Sequence, residues 1–171
     1  EELEMHFMEL AMERLERADY QPWSHFTYTN KESARSEYIF NSWQGMDFYG
    51  FGVSAFGYLG DSLLQNTSDM EKYTSLMTTG EVPLARGYQF TSLDRIVREV
   101  LLGMKLLRFD LVRFQQRHGF KLQFLCGATL NQLESGGFIK VSNTEIELTS
   151  KGILYGDYVG ETLAASLKNI S

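Results

Sequence analysis

The sequence predicts an α+β protein, and three features carry that expectation. Two long stretches, Leu3 to Ala18 and Thr91 to Leu107, repeat their apolar residues at helical spacing. Two others read as hairpins, one around Gly60-Asp61 and one across Ser142-Asn143-Thr144. The composition, 43% hydrophobic and 13% aromatic, supplies enough apolar surface for a packed core and excludes a disordered chain. No run approaches the ~18 consecutive apolar residues of a membrane span.

In the first helix Leu3, Phe7, Leu10, Ala11 and Leu15 share a side, with acidic residues early and Arg14 and Arg17 late, the polarity that suits a helix dipole. Tyr20 to Tyr28 reads as a short strand with an irregular start at Pro22, and Thr29 to Glu37 as a loop or short helical turn. From Phe48 to Tyr58 large aromatics alternate with Gly, Ser and Ala. That pattern predicts a strand whose bare backbone admits another backbone or a flat ligand. Gly60-Asp61 then turns the chain into a return arm, Ser62 to Gln65. Ser68 to Met77 follows as a short helix capped by Ser68 or Asp69.

The second half is richer in helix. Thr91 is a candidate N-cap, and Leu93, Ile96, Val97, Val100, Leu101 and Met104 line one side behind it. A helix from about Asp110 to His118 stops at Gly119, and Thr129 to Ser135 stops at Gly136-Gly137. Phe138 to Val141 and Glu145 to Leu148 form the arms of a hairpin, and Thr149 to Gly152 opens a last helix. Three helices and then a hairpin is the order of a winged-helix domain. As a reader of DNA it is poorly charged: Ala128 to Ser135, the would-be recognition helix, has no Lys or Arg and carries Glu134, and Lys140 shares the wing with Glu145 and Glu147. The expectation is a packing module that binds no specific nucleic acid.

Charge is uneven, six Lys+Arg against fourteen Asp+Glu in residues 1–90 and ten against eight in residues 91–171. The single cysteine, Cys126, permits no internal disulfide and cannot alone hold zinc or an iron–sulfur cluster. It reads as a small buried apolar residue, in keeping with a reducing cytoplasm. The acidic start, without Met and directly in helical sequence, is the reverse of a signal peptide and suggests a piece of something longer.

One long pattern is specific. Gly50-Phe51-Gly52-Val53-Ser54-Ala55, Gly60-Asp61, Gln65-Asn66, Tyr73, Arg86-Gly87, Thr91, Asp94, Ile96 and Arg98 follow one another in order. Together they resemble the oxygen-independent coproporphyrinogen III oxidases and the related radical S-adenosylmethionine (radical SAM) haem chaperones. Ser24-His25-Phe26-Thr27 is similar to that family's Asp-His-Phe-Ala, with Ser24 in place of the acid, and Trp43-Gln44-Gly45 to its Phe-Gln-Gly.

The resemblance implies the last elements of a radical SAM partial barrel over residues 1–60. A connecting hairpin and helix would follow over 61–90, then a winged-helix-like cap over 91–171. It implies a 4Fe-4S cluster and S-adenosylmethionine in the full-length protein, with the cluster cysteines on a missing N-terminal half as partner. This chain would then hold no metal, no catalytic residue and no activity of its own. The chemistry implied is oxidative decarboxylation of coproporphyrinogen III propionates to vinyl groups in porphyrin biosynthesis. A haem chaperone, a radical SAM methyltransferase or a stand-alone interaction domain are the alternatives. By resemblance Trp43, Gln44, Gly50, Gly52 and Phe56 contact S-adenosylmethionine, while His25 and Arg86 meet the tetrapyrrole substrate. Each choice has a physical basis. An amide bonds a carboxylate or an adenine edge, and an aromatic face holds a sulfonium. A guanidinium pairs with a propionate. Plain core packing would equally account for Trp43 and Phe56.

Overall fold

A computed structural model describes residues 2–169. Two compact units emerge: residues 1–44 and 97–171 pack together as the larger, and residues 45–96 form the smaller. These units do not follow the boundaries expected at residues 60 and 90.

The larger unit begins with α1 (Glu2–Arg17), which forms where the periodicity placed it. Its stripe is left largely uncovered among the described residues, with Leu3 64% and Phe7 61% exposed. The aromatic segment after it is a hairpin rather than a single strand: β1 (Gln21–Ser24) pairs antiparallel with β2 (Thr27–Thr29) across His25-Phe26. A 3-10 turn at Glu32–Ala34 leads to α2 (Glu37–Trp43), capped by Ser36 and ending on Gln44. The polar composition of Thr29 to Glu37 gave the turn, whereas α2, at seven residues, is too short for Ile39, Phe40 and Trp43 to establish a period.

In the smaller unit β3 (Phe56–Leu59), β4 (Ser62–Asn66) and β5 (Leu84–Gln89) make an antiparallel sheet in that order, with α3 (Met70–Thr79) between β4 and β5. Leu59 pairs with Ser62 across Gly60 and Asp61, whose φ values of 53° and 63° give the two-residue turn that matches strand twist. Asp69 caps α3, accepting from the Lys72 N–H at 3.0 Å. The strand expected over Phe48 to Tyr58 is corrected. Only Phe48 bridges Tyr58, and regular strand starts at Phe56. Between them Gly52 (φ +106°) and Ser54 (φ +59°) lie in backbone regions a strand does not use.

α4 (Ser92–Gly103) starts on a reciprocal cap: the Asp94 N–H donates to Thr91 Oγ1 at 3.2 Å and the Thr91 N–H to Asp94 Oδ2 at 2.9 Å. It is shorter than the Thr91 to Leu107 expected, because the chain turns at Met104 into β6 (Arg108–Asp110). Then come α5 (Leu111–His118), closed by Gly119 at φ +79°, and α6 (Gln123–Ser135). α6 begins six residues before the helix expected and kinks at Cys126. β7 (Ile139–Val141) and β8 (Glu145–Leu148) form the expected hairpin, and β6 joins it to give the order β6-β8-β7. α7 (Ser150–Leu154), capped by Thr149, and α8 (Gly156–Lys168) finish the chain. Val100, Phe114, Leu122, Ile146, Val159 and Leu163 are fully buried at the centre of this unit. No helix among the described residues is long and apolar enough to cross a membrane.

Candidate functional site

The seven residues carried over by resemblance divide between the units. Trp43, Gln44 and His25 stand in the larger, and Gly50, Gly52, Phe56 and Arg86 in the smaller.

The glycine loop of the smaller unit is held from inside by two side chains. Asn66, 3% exposed at the end of β4, donates through Nδ2 to the carbonyls of Gly50 (2.8 Å) and Gly52 (3.0 Å) and accepts from the Tyr49 hydroxyl at 3.2 Å. The Gly52 N–H donates to the Tyr73 hydroxyl at 2.9 Å. Asn66 and Tyr73 stood in the motif, but only the fold reveals that they shape the loop. The two glycines differ in purpose. A Cβ on Gly50 would lie 2.1 Å from the Phe56 carbonyl oxygen, so Gly50 is small to make room for its own chain. A Cβ on Gly52 would meet nothing within 4 Å among the described residues. Gly52 is therefore bare on an open side and fits close approach of a ligand, at a φ that favours glycine.

Phe56 and Arg86 are brought together. Phe56 opposes Gln65 and Gln65 opposes Arg86, so the three form one row across the sheet. Arg86 Nε donates to Gln65 Oε1 at 2.6 Å. With Leu64 and Tyr88 they line a cavity of about 260 Å³. Phe56 is 50% exposed, which sets aside core packing as its explanation. The row offers an aromatic face beside a cation, a fit for a flat ring bearing a carboxylate.

In the larger unit Trp43 and Gln44 end α2. Trp43 stacks obliquely on Trp23 at 5.9 Å and receives the edge of Phe26 at 5.3 Å. Arg113 donates to Gln44 Oε1 at 2.5 Å and to its carbonyl at 3.1 Å, and Arg117 donates to the same carbonyl at 3.4 Å. Trp43, Gln44 and Arg113 line a small cavity with Glu99, Arg108 and Asp110.

His25, expected to face substrate, is 8% exposed. Its ring packs where a Cβ on Gly156 would stand, within 2.4 Å, so the glycine that opens α8 exists to seat it. Among the described residues neither ring nitrogen has a hydrogen-bond partner, Asp157 Oδ1 standing 3.4 Å from Nε2 as an ion-pair contact. Burial lowers the imidazole pKa, with Asp157 opposing that shift and the Lys105 charge adding to it. Cys126 is 2% exposed and burial pushes its thiol up to about 11. The described residues include no group of three or more His, Cys, Asp or Glu able to hold a metal. They do not fit an iron–sulfur cluster.

Residues 90–155 match the HemN C-terminal domain. The chain is 26% identical over 160 residues to the heme chaperone HemW of Bacillus subtilis, covering 93% of this chain and 42% of that protein. It is 29% identical over 113 residues to an oxygen-independent coproporphyrinogen III oxidase of Pseudomonas aeruginosa, covering 63% and 24%. A Helicobacter pylori oxidase of the same name is 24% identical over 163 residues, covering 86% and 36%. Among solved structures, the coproporphyrinogen III oxidase HemN of Escherichia coli, described as a radical SAM enzyme, shares the fold. Its TM-score is 0.64 at 20% identity, over 92% of this chain and 40% of that one. The chain thus spans less than half the length of each of these relatives.

Proposed function

We propose, for a chain that carries a HemN C-terminal domain at residues 90–155, that it is part of an oxygen-independent coproporphyrinogen III oxidase. Such an enzyme decarboxylates the propionates of coproporphyrinogen III to yield protoporphyrinogen IX. The supporting observation is the Phe56–Gln65–Arg86 row, which offers a ring face and a guanidinium to a carboxylate-bearing tetrapyrrole. In the longer protein the cluster would supply reductive cleavage of S-adenosylmethionine, and its ligands would come from elsewhere. The role of this chain is to bind and orient. Gln44 and Trp43 are proposed to contact S-adenosylmethionine, Gly52 to let a ligand lie against bare backbone, and Arg86 to hold a propionate. His25, buried beneath α8, acts as a positioning residue for the Phe26 and Trp43 rings. The order of α4, β6, α5, α6, β7 and β8 supports a winged-helix-like module. Its third helix, α6, lacks Lys and Arg, so packing rather than DNA reading is its role.

One observation favours a second reading: the match to the heme chaperone covers 93% of the chain. A ring face beside a guanidinium suits haem propionates equally. Anaerobic incubation of the full-length protein with S-adenosylmethionine, a reductant and coproporphyrinogen III separates the two. The oxidase reading expects mono- and divinyl products. Stoichiometric haem binding with no decarboxylation would replace it with the chaperone.

A further inference from the structure

We infer that Arg113 fixes which end of the Gln44 amide a ligand meets, making Gln44 a hydrogen-bond donor toward that ligand. The inference rests on Gln44 being a cofactor contact and specifies what the contact can accept. The two ends of a primary amide are nearly the same size, and only their partners decide which way it faces. A guanidinium has five donors and no acceptor. With Arg113 Nη1 at 2.5 Å, the amide end facing it must be Oε1. The Nε2 end points away and has no partner among the described residues.

The clamp is itself held. Asp110 caps α5 by accepting from the Arg113 N–H at 2.8 Å, fixing the root of that side chain. Arg113 reaches the Gln44 carbonyl with its second nitrogen, so the bond to Oε1 is one arm of a two-point grip on the end of α2. Arg117, one turn on, adds a bond to the same carbonyl and pairs with Glu99 at 3.4 Å. Glu99 is also tied to His118 at 2.9 Å. None of these groups competes for Nε2. A ligand at Gln44 must therefore bring an acceptor, into a cavity where Arg108 and Arg113 are balanced by Glu99 and Asp110. In S-adenosylmethionine the methionine carboxylate has that character, whereas the adenine amino group does not.

Four substitutions in the full-length, cluster-free protein test this, read by calorimetric titration with S-adenosylhomocysteine and by thermal melting. Gln44→Glu keeps an acceptor for Arg113, so the end of α2 stays gripped, but offers the ligand an acceptor in place of a donor. It should melt at or above the wild-type temperature and bind at least about tenfold more weakly. Gln44→Ala should lose affinity as well. Arg113→Met frees the amide to turn and should weaken binding about three- to tenfold, with Arg113→Lys recovering most of the loss. Weak binding by Gln44→Ala with wild-type affinity in Gln44→Glu would overturn the donor orientation and leave Gln44 a contact. Wild-type affinity in both would overturn the contact itself, and the orientation with it.

Discussion

In the larger unit Val100, Phe114, Leu122, Ile146, Val159 and Leu163 are all fully buried, whereas in the smaller unit all six residues of β5 are exposed. The three-stranded sheets show the same contrast. β8 lies between two partners and buries alternate residues, Ile146 and Leu148. The β3-β4-β5 sheet leaves Phe56, Leu59, Leu84 and Tyr88 more than a third exposed. The first sheet completes a core. The second is shaped by polar bonds to a glycine loop and keeps its apolar side chains at the surface, where the proposed ligand row lies. The main core and the proposed Phe56–Gln65–Arg86 row thus lie in different parts of the chain, while the proposed contacts Trp43 and Gln44 stand on the larger unit.

The sharpest way to break that contrast is Phe114→Ala. It removes a fully buried ring that touches Phe109, His118 and Phe120, and should lower stability by about 3–5 kcal/mol, seen as a large drop in melting temperature. Asn66→Ala should act on the other unit. It strands the Gly50 and Gly52 carbonyls and the Tyr49 hydroxyl, for a loss of about 2–4 kcal/mol confined to residues 45–96. Hydrogen exchange should report it as faster exchange at the Gly52 and Ser54 amides, with α5, α6 and α8 unchanged.

Gly52→Val comes next. Strain at φ +106° costs on the order of 1–3 kcal/mol, and no atom lies near enough to clash. Binding of S-adenosylmethionine or tetrapyrrole by the full-length protein should therefore fall more than the stability of the helical unit. Normal turnover in this variant would make the loop a piece of structure only.

The smallest effect is set by pH. His25 is held neutral by burial, so its folded pKa lies below the ordinary 6.5. The unfolded chain then binds more protons at acid pH. The contribution of this residue is present above about pH 6.5 and is lost as the pH falls through that value toward the folded pKa. His25→Asn should flatten the acid limb of the stability curve of the larger unit.

Much of this was legible in the sequence wherever one short-range rule decides the outcome. Asp69 and Thr91 as caps, Asp110 and Thr149 as helix starts, Gly119 as a terminator and Gly60-Asp61 as a turn each depend on neighbours a few residues away. The motif pointed to Phe56 and Arg86, and sheet register put them in one row. What was not legible depends on distant partners. β6 and β5 are strands only because β8 and β4 pair with them. The Phe48 to Tyr58 segment alternates like a strand, yet Asn66 and Tyr73, far along the chain, bend it into a loop. The burial of His25 was not legible because nothing in the sequence reveals that Gly156 makes room for its ring.

The division of labour is tested most directly by hydrogen exchange on the full-length protein, with and without S-adenosylmethionine and coproporphyrinogen III. Added ligand is predicted to slow exchange in residues 49–56 and 84–88 of the smaller unit, with no change in α6 or in the β7–β8 hairpin of the larger. Protection confined to α6 and that hairpin, with the glycine loop and β5 unaffected, would contradict it.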